Sequence, residues 1–436
     1  MTTDQILTLL VLAAVVAALI WDKVRSDVVA LSGAAVLLMT GVVRPVDVQG
    51  AFASPAIIAL ASLFVIAYAL ELSGLLDAAI ARAVVLCKRM GAMGLWILLT
   101  MVGSVSCFLN STPIVVLMAP VVRDVATALK LSPRRFLIPL SYITVLTGCC
   151  TLIGTSTNLL VDDMASVAGQ PRFGMFEITP VGLPVALAGG LYLFLFSGKL
   201  LGGRHETEMR DEPAEPIDPN QNYGAQVGNP ELFTVQRPLR PLKAVIALLV
   251  FVTAVALAAI GVAPIAATAF AGAVLLILLR VLTADEAYSG LRPQILILIA
   301  GMVVIGIAME KSGLAALSSN LLIAGVHGLS PLIALIALYL LTSVITELLS
   351  NATVAVLMTP VAVALADSMA VSPRPFLVAV MMAASVSFAT PFGYQTNVIV
   401  YQMGGYRYMD FMRIGMPLNI LAFIISIVAI RLSFPF

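Results

Sequence analysis

Hydrophobic residues make up 61% of this 436-residue chain and charged residues 11%, against about 45–50% and about 25% in soluble domains. A formal net charge of +1 gives no basic surplus for nucleic acid and no acidic surplus for a cationic partner. What remains is a chain whose apolar runs, about 20 residues each, suit the hydrocarbon core of a lipid bilayer.

The chain opens on Met1-Thr2-Thr3-Asp4 with no basic stretch ahead of the apolar run Leu7–Ile20, so that run is predicted to be a span and not a cleaved leader. Spans are predicted over 4–22, 27–43 and 54–72. A short amphipathic piece with Arg82, Lys88 and Arg89 follows. An apolar stretch over 94–109 then runs into Asn110-Ser111-Thr112-Pro113, and another over 113–129 leads away from it. Residues 136–164 are apolar but interrupted at Gly154-Thr155-Ser156-Thr157-Asn158, with Asp162 and Asp163 beyond the break expected near the outer surface. A span over 178–198 closes the first half.

The segment from Gly202 to Pro241 holds Glu206, Glu208, Asp211, Glu212, Glu215 and Asp218. That composition cannot bury a core and reads as a polar linker. The order then recurs, with spans over 243–261, 264–282 and 293–312. An apolar approach over 331–349 reaches Ser350-Asn351-Ala352-Thr353, and 354–369 leads away. Residues 376–402 are interrupted from Ala389 to Asn397, and a last span covers 413–434.

The recurrence extends to individual residues. Glu71-Leu72-Ser73-Gly74-Leu75 matches Glu310-Lys311-Ser312-Gly313-Leu314, Ser132-Pro133-Arg134 matches Ser372-Pro373-Arg374, and Thr157-Asn158 matches Thr396-Asn397. Duplicated polar breaks in membrane-depth segments mark a transporter built from two repeats, with its site where the breaks meet. The expected fold is an all-α polytopic membrane protein of two inverted-topology repeats, 1–201 and 242–436, joined by the linker 202–241. Each repeat holds five transmembrane helices, one of them broken, plus a re-entrant helical hairpin, over about 94–130 and 331–370. Five crossings per half is odd, so the halves must lie upside down to each other. Arg123, Lys130, Arg134 and Arg135 beside the first hairpin, against Arg374 alone beside the second, place the first opening and the linker on the cytoplasmic side.

Broken helices persist at membrane depth only where they line a cavity or bind something. Ser or Thr ahead of Pro caps a helix N-terminus, whose free N–H groups and positive dipole end suit an anion. The Ser, Thr and Asn oxygens and unwound carbonyls of the same breaks are neutral, hard ligands for cations. No Lys or Arg lies in any break, so a bound anion would need cations to balance it, which favours symport. Glu347 is the one credible intramembrane titratable group beside the site. It either fixes the second hairpin or carries a proton, and we expect the structural role. The proton role would make the chain a proton- or sodium-coupled exchanger or an arsenite-type efflux permease. An intramembrane enzyme would need a nucleophile–base or metal constellation. No HExxH, GxSxG or P-loop is present, His205 and His327 fall outside the spans, and Cys87, Cys107, Cys149 and Cys150 lack metal-ligand spacing.

At these motifs the chain resembles the divalent anion:sodium symporter family of the ion-transporter superfamily. Leu152-Ile153-Gly154-Thr155-Ser156-Thr157-Asn158 and Gly393-Tyr394-Gln395-Thr396-Asn397 look closest to its bacterial and algal sulfate-permease branch. The resemblance implies sodium-coupled symport of a divalent anion, sulfate or a C4-dicarboxylate, by an elevator motion in a homodimer of the bacterial inner membrane. No cofactor is implied beyond sodium as coupling ion. One sodium site would use Ser106, Asn110, Ser111 and the region of Gly154, the other Thr346, Ser350, Asn351 and the region of Ala389. The anion would touch Ser111, Thr112, Thr155, Ala352 or Thr353, and Thr390. Ala352 stands where the family carries Thr.

Overall fold

A computed structural model describes residues 2–21, 24–75, 78, 85, 90–201, 238–291, 293–314, 330–347, 349–391 and 393–436. The linker up to 237, both His residues and the basic piece around Arg82, Lys88 and Arg89 lie outside the described residues. All regular structure among those described is helical.

The first half contains α1 (Thr3–Trp21), α2 (Ser26–Met39), α3 (Pro45–Phe52), α4 (Pro55–Leu72), α5 (Ala92–Ser106), α6 (Ser111–Ala128), α7 (Arg134–Gly148), α8 (Ser156–Val167) and α9 (Thr179–Leu201). The second repeats the order with α10 (Pro241–Ala259), α11 (Ile265–Leu278), α12 (Ala284–Gly290), α13 (Pro293–Lys311), α14 (Pro331–Thr346), α15 (Asn351–Ser368), α16 (Arg374–Ser385), α17 (Gln395–Gly404) and α18 (Tyr408–Ser433). Each predicted apolar stretch becomes a helix, and each predicted interruption separates two. The two short helices α3 and α12 were not expected. Their signals are Pro45 at the first helical turn with Asp47 accepting from the Arg44 N–H, and the Thr283–Glu286 capping box.

Duplication reaches the backbone. α6 and α15 both end on a non-glycine residue in the left-handed region, Lys130 at φ 57° and Ala370 at φ 54°. In each case the next N–H turns back onto the helix, Leu131 to the Ala126 carbonyl and Val371 to that of Ala366. This is the bonding of a left-handed C-terminal cap.

Among the described residues, five segments are long and apolar enough to cross a membrane: Pro45–Leu72, Thr179–Leu201, Pro241–Ala259, Asn351–Ser368 and Tyr408–Ser433. α9 and α10 expose Leu187, Leu191, Leu242, Val245 and Leu249, as lipid-facing helices do.

The halves are interwoven. α2 packs on α13 and α4 on α11. α6 meets α17, α15 meets α8, and α9 meets α18. Small residues permit the closest approach: a Cβ on Gly301 of α13 would fall 2.8 Å from the Ala30 carbonyl carbon of α2, the short spacing that membrane helices use to associate. Ion pairs also cross between the halves, two of them as clasps that include an aromatic ring. Arg134 at the start of α7 pairs with Asp410 of α18 at 2.6 Å, and the Tyr406 hydroxyl donates to the Arg134 carbonyl. Arg374 at the start of α16 pairs with Glu177 ahead of α9 at 3.3 Å, and its guanidinium lies 3.8 Å from the Phe173 ring centre.

Candidate functional site

The first knot turns α5 into α6. Asn110 caps α6, its Oδ1 accepting from the Thr112 N–H at 3.0 Å. The hydroxyls of Ser106 and Ser111 lie 3.0 Å apart, and both reach the Thr144 carbonyl of α7, at 2.9 and 3.0 Å. Two glycines hold this cluster against the break between α7 and α8. A Cβ on Gly148 would stand 3.3 Å from the Ser111 hydroxyl, and one on Gly154 would stand 2.4 Å from the Gly148 carbonyl oxygen and 2.6 Å from that of Cys107. Hydroxyls and carbonyls thus gather with no charged side chain among them, and the hydroxyls can rotate to present lone pairs. That donor set suits a hard cation.

The second knot repeats the construction 240 positions on. Thr346 Oγ1 lies 3.0 Å from Asn351 Oδ1 and donates to the Ala384 carbonyl at 2.9 Å. Ser350 caps α15, accepting from the Thr353 N–H at 3.3 Å. The unwound stretches carry a second set of equivalent bonds. Thr151 Oγ1 donates to the Cys107 carbonyl and accepts from the Gly154 N–H, while Asn158 Nδ2 donates to the Thr151 carbonyl. Thr390, Gly393 and Asn397 do the same around the Glu347 carbonyl. The spacing has dropped to 239 by then, one residue having been lost between Ala384 and Thr390 relative to Thr144 and Thr151, although α16 ends early, at Ser385, where α7 runs to Gly148.

Glu347 replaces the Cys107 of the first half, and its carboxylate has a defined task. Oε1 accepts from the Ala389 N–H at 3.0 Å and from Asn419 Nδ2 of α18 at 2.7 Å, and Oε2 accepts from the Thr390 N–H at 3.0 Å. Asn419 also accepts from the Phe388 N–H through Oδ1. The carboxylate therefore staples the unwound backbone after α16 to the tip of the hairpin.

The two halves meet at these breaks. Thr112 Oγ1 donates to Gln395 Oε1 at 3.3 Å. Ser141 of α7 donates at 2.7 Å to Asn397 Oδ1, and Tyr142 donates to the Phe388 carbonyl at 2.6 Å. The position matching Ser141 is Met381, which has no hydroxyl to offer. Accordingly, Asn158 Oδ1 is buried without a partner among the described residues.

Ser106, Ser111, Thr112, Thr155, Thr346, Asn351 and Thr353 are all buried. Asn110, Ala352, Thr390 and Glu347 are half-buried, and Ser350 is exposed. Thr144, Ala384, Gln395 and Asn419 escaped sequence reasoning. The first two contribute only carbonyl oxygens, which any residue type supplies. Gln395 stood inside a recognised break without marking itself. Asn419 sits in a helix with no interruption.

Asp162 and Asp163 are buried and not free at a surface. They are 4% and 2% exposed and pair with Arg172 at 2.9 and 3.0 Å, while Asp162 also accepts from the Phe173 N–H at 2.7 Å. The loop after α8 folds back over them. Arg172→Ala is expected to cost about 3 kcal/mol, the lower end for breaking a buried pair because Arg172 is half-exposed. A drop in the melting temperature of the detergent-purified protein, partly restored in Arg172→Lys, checks this.

The citrate transporter family (CitMHS) matches residues 16–372 and 348–436, nearly the whole chain. The chain belongs to that family of transporters. An uncharacterized transporter of Synechocystis is 26% identical over 95% of this chain and 94% of its own length. Sodium/sulfate cotransporter 1 of Chlamydomonas reinhardtii is 32% identical over 35% of this chain and 18% of its own. Solute carrier family 13 member 2 of Oryctolagus cuniculus is 29% identical over 32% and 23%. These relatives agree with the divalent anion:sodium symporter resemblance and with a multi-pass membrane transporter.

Proposed function

We propose that this transporter is a secondary active symporter that carries a divalent anion, sulfate or a C4-dicarboxylate, together with sodium ions across a bacterial inner membrane. The observation that carries the reading is a pair of neutral oxygen clusters, Ser106–Ser111–Thr144 and Thr346–Asn351–Ala384, at the N-termini of α6 and α15, with the N-terminus of α17 bonded to that of α6 through Gln395 and Thr112. Glu347 is the sole charged residue in the four breaks. Each helix end supplies about half a positive charge. A dianion held there would otherwise raise the local negative charge, so sodium ions at Ser106–Ser111–Thr144 and at Thr346–Asn351–Ala384 complete the balance. Anion and cation then bind only together, which is the physical basis of coupling.

The two halves lie in opposite orientations across the bilayer, each with five crossings and a re-entrant hairpin. The hairpins and broken helices move as one body against α1–α4 and α10–α13 in an elevator cycle within a homodimer. Glu347, with its carboxylate engaged by three donors, is poorly placed to carry a proton, which weighs against the exchanger alternative.

Uptake of labelled sulfate and labelled succinate into proteoliposomes, with and without an inward sodium gradient, tests the proposal. At least one label is expected to accumulate only with the gradient. In Ser111→Ala, half-maximal uptake is expected to need roughly tenfold more sodium, the loss of about one 1.4 kcal/mol ligand contact. Sodium-independent uptake of both labels would end the symport reading.

A further inference from the structure

We infer that a phospholipid with a primary-ammonium headgroup seats in a cavity at the N-terminus of α10, its phosphate against Arg240 and Lys243 and its ammonium against Glu286. The inference does not depend on what the protein carries. It starts from a place where the internal duplication fails. In the first half, Asp47 closes the capping box of the short helix α3, and Lys311 at the end of α13 pairs with it at 2.6 Å. The matching short helix is α12. Its Glu286 stands at the position of Asp47 and likewise caps, accepting from the Thr283 N–H at 2.8 Å. The residue that matches Lys311, however, is Leu72. The second carboxylate therefore lacks the ammonium that neutralises the first, and among the described residues no basic group lies within ion-pairing distance of it.

A cavity of about 180 Å³ opens there instead, lined by Leu72, Pro238, Arg240, Lys243, Val281 and Glu286. One water needs about 10–15 Å³, so the space takes a group of several heavy atoms. Its walls are fixed. The Arg240 N–H donates to the Ser73 carbonyl at 2.9 Å, which ties the start of α10 to the end of α4. Lys243 Nζ donates to the Val281 carbonyl at 2.9 Å and keeps two further N–H groups. The Arg240 guanidinium has no partner among the described residues, and no ion pair joins Glu286 to either cation. Cations and a carboxylate held apart in one cavity match a ligand that carries both signs. A bare anion would satisfy Arg240 and Lys243 and be repelled by Glu286. A phosphodiester that bears an ammonium satisfies all three, with charge-assisted hydrogen bonds at each end.

The surroundings supply the rest of a lipid. α10 is long and apolar enough to cross a membrane. Leu242, Val245 and Leu249 are 73%, 55% and 59% exposed, and their spacing puts them on one helix face. They begin beside Lys243 and run away from the cavity along α10. A charged seat at the head of an apolar strip has the order of a phospholipid, headgroup and then acyl chain. Basic side chains at the ends of spanning helices reach this headgroup level while their stems stay on apolar surface.

The test is the melting temperature of the full-length protein, purified in detergent and stripped of lipid. It is titrated with phosphatidylethanolamine, phosphatidylcholine and phosphatidylglycerol of the same acyl chains, and with free phosphoethanolamine. Phosphatidylethanolamine is expected to stabilise at roughly tenfold lower concentration than phosphatidylcholine, whose quaternary ammonium has no N–H for Glu286. Phosphatidylglycerol, which lacks the cation, is expected to trail by a similar factor. Free phosphoethanolamine, which lacks the chains, is expected to have no effect at the same concentrations. Leu72→Lys, which installs the lysine of the other half, is expected to pair with Glu286, fill the cavity and abolish the preference. Glu286→Gln keeps an oxygen for the Thr283 N–H and is expected to bring phosphatidylethanolamine and phosphatidylcholine together. Equal stabilisation of the unaltered protein by those two lipids would overturn the inference, as would phosphatidylglycerol acting best or no lipid acting at all. Folded variants that keep the full preference would overturn it too. Free phosphoethanolamine acting as well as the lipid would overturn the lipid assignment and leave a soluble zwitterion in its place.

Discussion

Glu347→Ala is expected to cost about 4–6 kcal/mol and to leave little monodisperse protein after detergent extraction. The carboxylate accepts three hydrogen bonds, from the N–H groups of Ala389 and Thr390 and from the Asn419 amide. Bonds to a charged acceptor are worth about 1.5–3 kcal/mol each, and a buried donor left bare costs about 1–3 kcal/mol. Both N–H groups belong to backbone that has already left helix α16, so no carbonyl of the preceding turn can take over. Fluorescence-detected gel filtration and thermal unfolding measure the loss. Glu347→Gln separates the two roles considered for this side chain. It keeps one carbonyl oxygen for the N–H groups and cannot carry a proton, so sodium-driven uptake is expected to survive in part. Complete loss of uptake in a well-folded Glu347→Gln protein would instead favour proton carriage.

Gly154→Ala is expected to abolish sodium-dependent uptake while leaving the bulk of the protein folded. The added methyl would stand 2.4 Å from the Gly148 carbonyl oxygen and 2.6 Å from that of Cys107. Both obstacles are backbone, and neither can rotate away as a side chain would. The strand of chain between α7 and α8 must back off, taking with it Thr155, which caps α8, and separating Gly148 from Ser111. Overpacking of this kind costs about 1–3 kcal/mol, which the remaining contacts of the helices can absorb. The oxygen cluster of Ser106, Ser111 and Thr144 cannot absorb it, because ligand atoms displaced by a fraction of an ångström no longer converge. Uptake assays beside a melting curve distinguish the outcomes: normal melting with no uptake is expected, and full uptake would show that the region of Gly154 lies outside the ion path.

Much of this was readable before any coordinates, and the reason is the environment. A membrane suppresses polar residues everywhere except where they act, so Asn110-Ser111-Thr112 and Ser350-Asn351-Ala352-Thr353 stood out against their surroundings. Helix positions followed from apolar runs and their breaks. The short α3 and α12 escaped because a pattern tuned to spans passes over one or two turns, although their capping residues were in plain view. Backbone carbonyls such as those of Thr144 and Ala384 leave no trace in side-chain identity. The burial of Asp162 and Asp163 went unread for a different reason. Two adjacent carboxylates read as a surface unless the compensating Arg172 is recognised, and nothing in the intervening residues announces that the loop returns over α8. The pairing of Gln395 with Thr112 joins residues 283 positions apart, and no local pattern encodes it.

The interweaving of the halves bears on how the chain is made. The partners of α2 and α4 are α13 and α11, which ribosomes deliver some 200 residues later. Until then the first half waits in the bilayer with its packing faces turned to lipid or to the insertion machinery. Small residues such as Ala30, suited to a close neighbour, gain little from acyl chains in the meantime. Biogenesis of this transporter therefore has a built-in pause, and a chain truncated within α13 would leave those faces permanently unmatched and open to degradation.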